Sequence, residues 1–229
     1  MEERPSRMLA VLRDCGALAR ILPELDVLWG VPQPPLHHPE VDTGVHIMLV
    51  IDYAAAQQHP LEIRFAALVH DLGKGASPSE TWPAHHGHEF TGMKPVTEVA
   101  KRLKVPNECR DLALMTAREH GNVSRALQLR ANTIVTLFER CDAFRKPERF
   151  AQMLLASECD ARGRGHEAHP MRFEDYPQRP HLLRALEAAR AVNAGEVAAR
   201  FADKRERIPE AVHAARVSAA VSYTHLTLP

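Results

Sequence analysis

Cysteine is scarce in this 229-residue chain, and its four copies, Cys15, Cys109, Cys141 and Cys159, never form a Cys-x-x-Cys pair. No disulfide framework is indicated, and the chain reads as one from a reduced, cytoplasmic compartment. Neither sign of charge is in excess, with 29 basic residues against 29 acidic ones. A generally basic nucleic-acid binder is therefore not indicated. A weak local patch remains at Arg125, Arg130, Arg140, Arg145, Lys146 and Arg149, interleaved with acids. No apolar run approaches the length of a membrane span, so no membrane partner is expected. The opening "MEERPSRMLA" lacks the apolar stretch of a signal peptide. Strand signals are missing too: there is no sustained Val/Ile/Thr alternation and no Asn-Gly or Asp-Gly hairpin turn.

What is abundant favours helix: alanine, leucine and arginine. The pattern predicts an all-α domain of packed helices. Ser6 would cap a helix to about Leu22, broken by Pro23. "GVPQPPLHHPE" must be loop. Asp42 or Thr43 would cap a helix through about Gln58, apolar nearly all round and hence central. Leu61, Phe65, Leu68 and Leu72 mark the next helix, with Gly73 as its C-terminal cap. Further helices are expected over 90–103, from Pro106 or Asn107 to His120 with a stop at Gly121, and over 131–143. That last one carries Ile134, Leu137, Phe138 and Cys141 inward. Others follow over 147–162, 181–200 and 208–220. The final "VSYTHLTLP" departs in style from the preceding "EAVHAARVSAA" and is read as a non-native tail over 221–229.

Histidine is the anomaly. Its 14 copies outnumber Phe, Tyr and Trp together, and most fall between residues 37 and 120. In "ALVHDLGKG", His70 and Asp71 sit side by side at the end of an apolar helix. Chance gives roughly 0.6 such pairs in a chain of this composition, so the dipeptide alone decides nothing. Its surroundings add weight. His46 lies on the preceding helix, and antiparallel packing across "QQHP" would bring His46 and His70 to one level. Neutral imidazoles and a carboxylate on separate rigid elements are what a metal needs. Asp142 follows Cys141 by one residue and Phe138 by four, so it should point to the buried side. A lone carboxylate there is costly, and either a cation or a partner such as Arg140 or Arg145 would offset the cost. His88, just before a helix, and His120, at the end of another, complete the set, with an exposed loop residue and a helix cap as the alternatives. His85 and His86 read as solvated residues, one of them a possible substrate contact.

In order, His46, His70-Asp71, His88, His120 and Asp142 resemble the H…HD…H…H…D pattern of the HD-domain phosphohydrolase superfamily. The segments "HHPEVDTGVH", "RFAALVHDLGKG", "WPAHHGHE" and "VPNECRDLA" look like the HD domain at the C-terminal end of bacterial CCA-adding tRNA nucleotidyltransferases, and "VLRDCGALARILPELDVLWGVPQP" looks like the segment leading into it. The similarity runs through nearly all of residues 4–200. It implies an HD-domain helical bundle with a metal site between central helices. The implied organisation is 1–30 as the end of the body, 31–165 as the HD domain and 166–220 as a helical extension.

The resemblance further implies metal-dependent 2',3'-cyclic phosphodiesterase, 2'-nucleotidase and phosphatase activity on a tRNA 3' end or a nucleotide phosphate ester. The cofactor would be a divalent ion, Ni2+ or Mg2+, with Mn2+ or Co2+ as alternatives. His46, His70, Asp71 and Asp142 would hold one ion. Asp71 would bridge to a second held by His88 and His120, and Lys74 would contact phosphate. The family's nucleotidyltransferase head carries an Asp-x-Asp that this chain lacks, so CCA addition by the chain alone is not expected; it reads as a fragment or as begun at an internal Met. A small-nucleotide phosphohydrolase of the same fold and a non-catalytic tRNA-binding scaffold are the alternative readings.

Overall fold

The computed structural model describes residues 2–165 and 169–224. Its helices are α1 (Pro5–Asp14), α2 (Leu18–Ile21), α3 (Pro23–Asp26), α4 (Thr43–Ala56), α5 (Leu61–Val69), α6 (His88–Thr91), α7 (Met93–Arg102), α8 (Asn107–Ser124), α9 (Ala131–Arg140), α10 (Pro147–Arg162), α11 (Gln178–Arg190), α12 (Ala194–Ala199) and α13 (Ile208–Thr224), with short 3-10 turns between some of them. Among the described residues the only β-type pairing is an isolated bridge between Pro32 and Asp42. The chain is therefore all-α. Of the tail expected at 221–229, residues 225–229 lie outside the described residues.

The chain divides into two compact units, one of Met1–Gly121 with Gln152–Tyr176 and one of Asn122–Ala151 with Pro177–Pro229. These boundaries differ from those expected at 30/31 and 165/166, because α8 and α10 each supply residues to both units.

In the first unit α4 packs against α1 and α5. It buries Ile47, Val50, Ile51 and Ala54, while α5 buries Ile63, Ala66, Ala67 and Val69. The alanines let the two backbones approach closely. The start of α4 is strongly specified. Asp42 caps it, its carboxylate accepting from the Val45 amide at 2.9 Å and from the Gly30 amide at 2.6 Å; such a cap is worth about 1 kcal/mol. Gly44 lies under Trp29, where a Cβ would come within 2.3 Å of the indole. His46 is thus fixed in the first turn. In the second unit Phe138 makes an edge-to-face contact with Phe150 at 5.3 Å between ring centres. Ile134, Leu137, Phe138 and Cys141 are buried there.

Several expected boundaries differ. The first helix ends not near Leu22 but at Asp14, with Cys15 as its C-cap, because Gly16 takes a left-handed conformation (φ 74°). Pro23 instead opens α3 at a position where a missing N–H costs nothing. Helix α8 passes Gly121 and runs to Ser124, since glycine is tolerated inside a helix. There a Cβ would come within 2.7 Å of the Glu89 carboxylate. The span 181–200 is two helices, broken where the Asn193 side chain caps α12 by accepting from Gly195 and Glu196.

Candidate metal centre

Four elements of the first unit deliver the site: the first turn of α4 (His46), the end of α5 (His70 and Asp71), α6 (His88) and α8 (His120). The end of α10 brings a residue the sequence reading passed over, Asp160. Three triads of donor atoms result among the described residues, His46–His70–Asp160, Asp71–His88–His120 and, sharing His46, His38–Glu40–His46, each with its ligand atoms within 4.8 Å of one another. In the first two, all but His88 are buried, and His88 is largely so.

The hydrogen bonds fix how the rings present themselves. His70 Nδ1 lies 2.8 Å from the Ala67 carbonyl, His88 Nδ1 2.9 Å from the His85 carbonyl, and His120 Nδ1 3.0 Å from the Ala117 carbonyl. A carbonyl only accepts, so each Nδ1 carries a proton and donates. In the neutral ring each Nε2 is then a bare lone pair. The Nε2 atoms of His88 and His120 face each other at 3.2 Å, and Asp71 Oδ1 lies 3.3 and 3.4 Å from them. With the rings neutral, three lone pairs converge; burial pushes His88 down, but the Asp71 carboxylate outweighs it and raises it, so a positive charge is favoured at this point. Asp71 Oδ1 and His70 Nε2 are buried without a hydrogen-bond partner. A buried carboxylate oxygen without a partner, as Asp71 Oδ1 is, is costly, and positive charge among these groups, as a bound cation would supply, is what the donor set fits.

His46 lies between two carboxylates. Its Nε2 lies 3.0 Å from Asp160 Oδ1, and its Nδ1 lies 2.7 Å from Glu40 Oε1. The His70 Nε2 is 3.7 Å from the same Asp160 oxygen. Burial works against the charged forms of Asp71 and Asp160. Lys74 and His70 nevertheless hold Asp71 well below the usual carboxylate range, and His46 and His70 do the same for Asp160. Burial likewise pushes His70 down, but the two carboxylates outweigh it and hold the ring up at about 10. The neighbourhood as a whole favours positive charge.

Gly73 serves a different purpose from the one expected. It lies in a 3-10 turn (Leu72–Ala76) rather than in a left-handed cap. A Cβ there would come within 2.0 Å of the His88 carbonyl. The glycine lets α6 lie directly on the turn and so sets the position of His88. Lys74 does not project to solvent: it is buried, donating to Asp71 Oδ2 at 2.6 Å and to Gln33 Oε1 at 2.5 Å. His85, read as solvated, is buried, with Nδ1 2.6 Å from Ser77 Oγ and Nε2 2.7 Å from the Pro32 carbonyl. It braces the loop ahead of His88. His86 is exposed.

The structure does not place Asp142 with these residues. It belongs to the second unit, where its exposed carboxylate pairs with Arg145 at 2.7 and 2.9 Å. Helix α9 ends at Arg140, and Asp142 follows in a left-handed conformation (φ 51°). The Ala143 amide reaches back to Phe138 and the Asp142 amide to Glu139, a Schellman closure. Helical phase therefore cannot be extended to it. Asp160 has the phase that Asp142 lacks: Met153, Ala156, Ser157 and Asp160 recur at i, i+3, i+4 and i+7 of α10, and all are buried.

Comparison with known proteins agrees with this architecture. The HD domain family model matches residues 7–144, more than half of the chain. The chain is 66% identical over 223 residues to the Multifunctional CCA protein of Janthinobacterium sp. (strain Marseille), covering 96% of this chain and 53% of that protein. It is 63% identical over 224 residues to the protein of the same name from Herminiimonas arsenicoxydans, with the same coverage. To that of Ralstonia nicotianae it is 59% identical over 220 residues, covering 96% of this chain and 50% of that protein. The chain thus spans about half the length of these curated relatives. No solved structure matches it. With a family match over more than half its length and a helical architecture that carries the paired His70 and Asp71, the chain belongs to the HD-domain family.

Proposed function

We propose that the chain is a cytoplasmic metal-dependent phosphohydrolase acting on a phosphate ester at a tRNA 3' end, as 2',3'-cyclic phosphodiesterase, 2'-nucleotidase and phosphatase. The observation that carries the reading is the convergence of His88 Nε2, His120 Nε2 and Asp71 Oδ1 within 3.4 Å of one another. The name shared by the relatives, Multifunctional CCA protein, supports the choice of substrate class. His46, His70, Asp71 and Asp160 would hold one divalent ion, nickel or magnesium, and Asp71, His88 and His120 a second. Such an ion, when bound, polarises a phosphoryl oxygen and acidifies water.

The chain's own residues do the rest. The carbonyls of Ala67, His85 and Ala117 hold three Nδ1 protons and so keep the corresponding Nε2 atoms free. Lys74 fixes Asp71 through Oδ2 and leaves Oδ1 turned toward His88 and His120. Burial of the cluster excludes bulk water and strengthens each electrostatic contact.

Asp71→Ala tests the reading. With 2',3'-cyclic AMP and p-nitrophenyl phosphate as substrates, turnover should vanish while the helical circular-dichroism signal persists. Full turnover by the variant would refute it.

A further inference from the structure

Phosphoryl transfer needs positive charge on the phosphate oxygens, and Lys74 is already engaged by Asp71 and Gln33. A second cation is held beside the cluster by a short loop, Gly163-Arg164-Gly165, directly after α10. Gly163 lies on α4, where a Cβ would come within 2.4 Å of Val50 Cγ2 and 2.7 Å of its Cα. Gly165 is left-handed (φ +68°), and a Cβ there would come within 2.5 Å of His169 Cβ. Its amide donates to Glu40 Oε2 at 2.7 Å, and the other oxygen of Glu40 is the one beside His46. Two glycines and one hydrogen bond therefore fix the backbone on both sides of Arg164.

The Arg164 side chain is half-buried, and its Nε is buried without a partner. Among the described residues its guanidinium makes no hydrogen bond or ion pair. Its charge nevertheless reaches the cluster: it helps hold Asp160 down and helps push His38 down. A half-buried guanidinium with no direct ion pair among the described residues, its charge felt only at longer range by Asp160, leaves its donors open to an anion.

We propose that Arg164 binds the phosphate oxyanion of the substrate next to the metal cluster, an assignment that rests on the phosphohydrolase reading above. The planar fork of a guanidinium can take two phosphate oxygens at once, which an ammonium cannot. The bound group is a phosphate monoester or cyclic diester, and the contact is to its non-bridging oxygens.

The test is calorimetric binding of inorganic phosphate to the whole chain, alongside Co2+ titration, for wild type, Arg164→Gln and Arg164→Lys. Arg164→Gln should weaken phosphate binding by about tenfold or more, leave Co2+ affinity unchanged, and raise KM more than it lowers kcat. Arg164→Lys should recover part of the phosphate affinity. Unchanged phosphate affinity in Arg164→Gln, or a wild type that binds no phosphate, would overturn the assignment. So would a loss of Co2+ affinity with phosphate binding intact, since that is the signature of a residue that only balances Asp160. If wild type hydrolyses no phosphate ester yet its phosphate binding depends on Arg164, the functional reading fails and the anion site stands.

Discussion

Asp160 and Asp142 each follow a cysteine, and replacing them one at a time separates the two candidate sites. In Asp160→Asn the shape is nearly kept and the charge is lost. The lost group sits 3.0 Å from His46 Nε2 and 3.7 Å from His70 Nε2 in a buried setting. Removing a group one shell out from a metal costs about 10–100-fold in affinity. A charged group within the triad should exceed the upper end, so a loss of at least about 100-fold is expected, equivalent to about 2.8 kcal/mol. Titration with Co2+, read by calorimetry and visible absorbance, measures it directly. Turnover of p-nitrophenyl phosphate should fall in parallel. Asp142→Asn should change neither quantity, because its carboxylate pairs with Arg145 on the surface of the other unit. The reasoning is refuted if Asp160→Asn binds Co2+ as wild type does, or if Asp142→Asn is the variant that loses it.

Replacing His88 or His120 by Ala should lower metal stoichiometry and turnover, and the double variant should be little worse than either single one, because residues that act as a unit are not additive; elemental analysis and kinetics decide, and additive losses would disprove a shared ion. Gly73→Ala should reduce turnover through displacement of His88, since its Cβ would meet the His88 carbonyl; denaturant unfolding and metal titration should show weaker binding even where the fold survives, and wild-type metal affinity would count against it. Burial pushes His38 down to about 4, so between about 4 and 6.5 the unfolded chain binds the extra proton and stability rises with pH. In metal-free protein this group contributes about 2 kcal/mol of stability at pH 7 that is lost by pH 5. Denaturant unfolding at the two pH values, wild type against His38→Gln, should show the difference shrinking by that amount, and an equal difference at both would refute it.

The helices that carry the site were legible because their signals are local. An Asp42 cap, an apolar run and the proline-rich loop before it define α4 without reference to anything distant. The same is true of α5, and short antiparallel helices place His46 near His70 by geometry alone; their ring centres lie 5.8 Å apart. Gly73 was visible but its purpose was not, because a backbone approach from His88, fifteen residues on, leaves no local trace. The buried state of Lys74 and His85 has the same origin: their partners, Gln33 and the Pro32 carbonyl, are about forty to fifty residues away in the chain. The substitution of Asp142 for Asp160 shows where pattern reasoning needs one more step. Both aspartates stand in a Cys-Asp-Ala triplet near a helix end. Extending helical phase by a single residue past Cys141 made Asp142 appear inward, yet Cys141 is where α9 stops and the chain reverses hand. Asp160 is still inside α10 and shares a face with Met153, Ala156 and Ser157. A carboxylate on a stripe of small and apolar residues, inside a helix rather than after it, carries a burial cost that must be offset. In this chain His46 and His70 meet it.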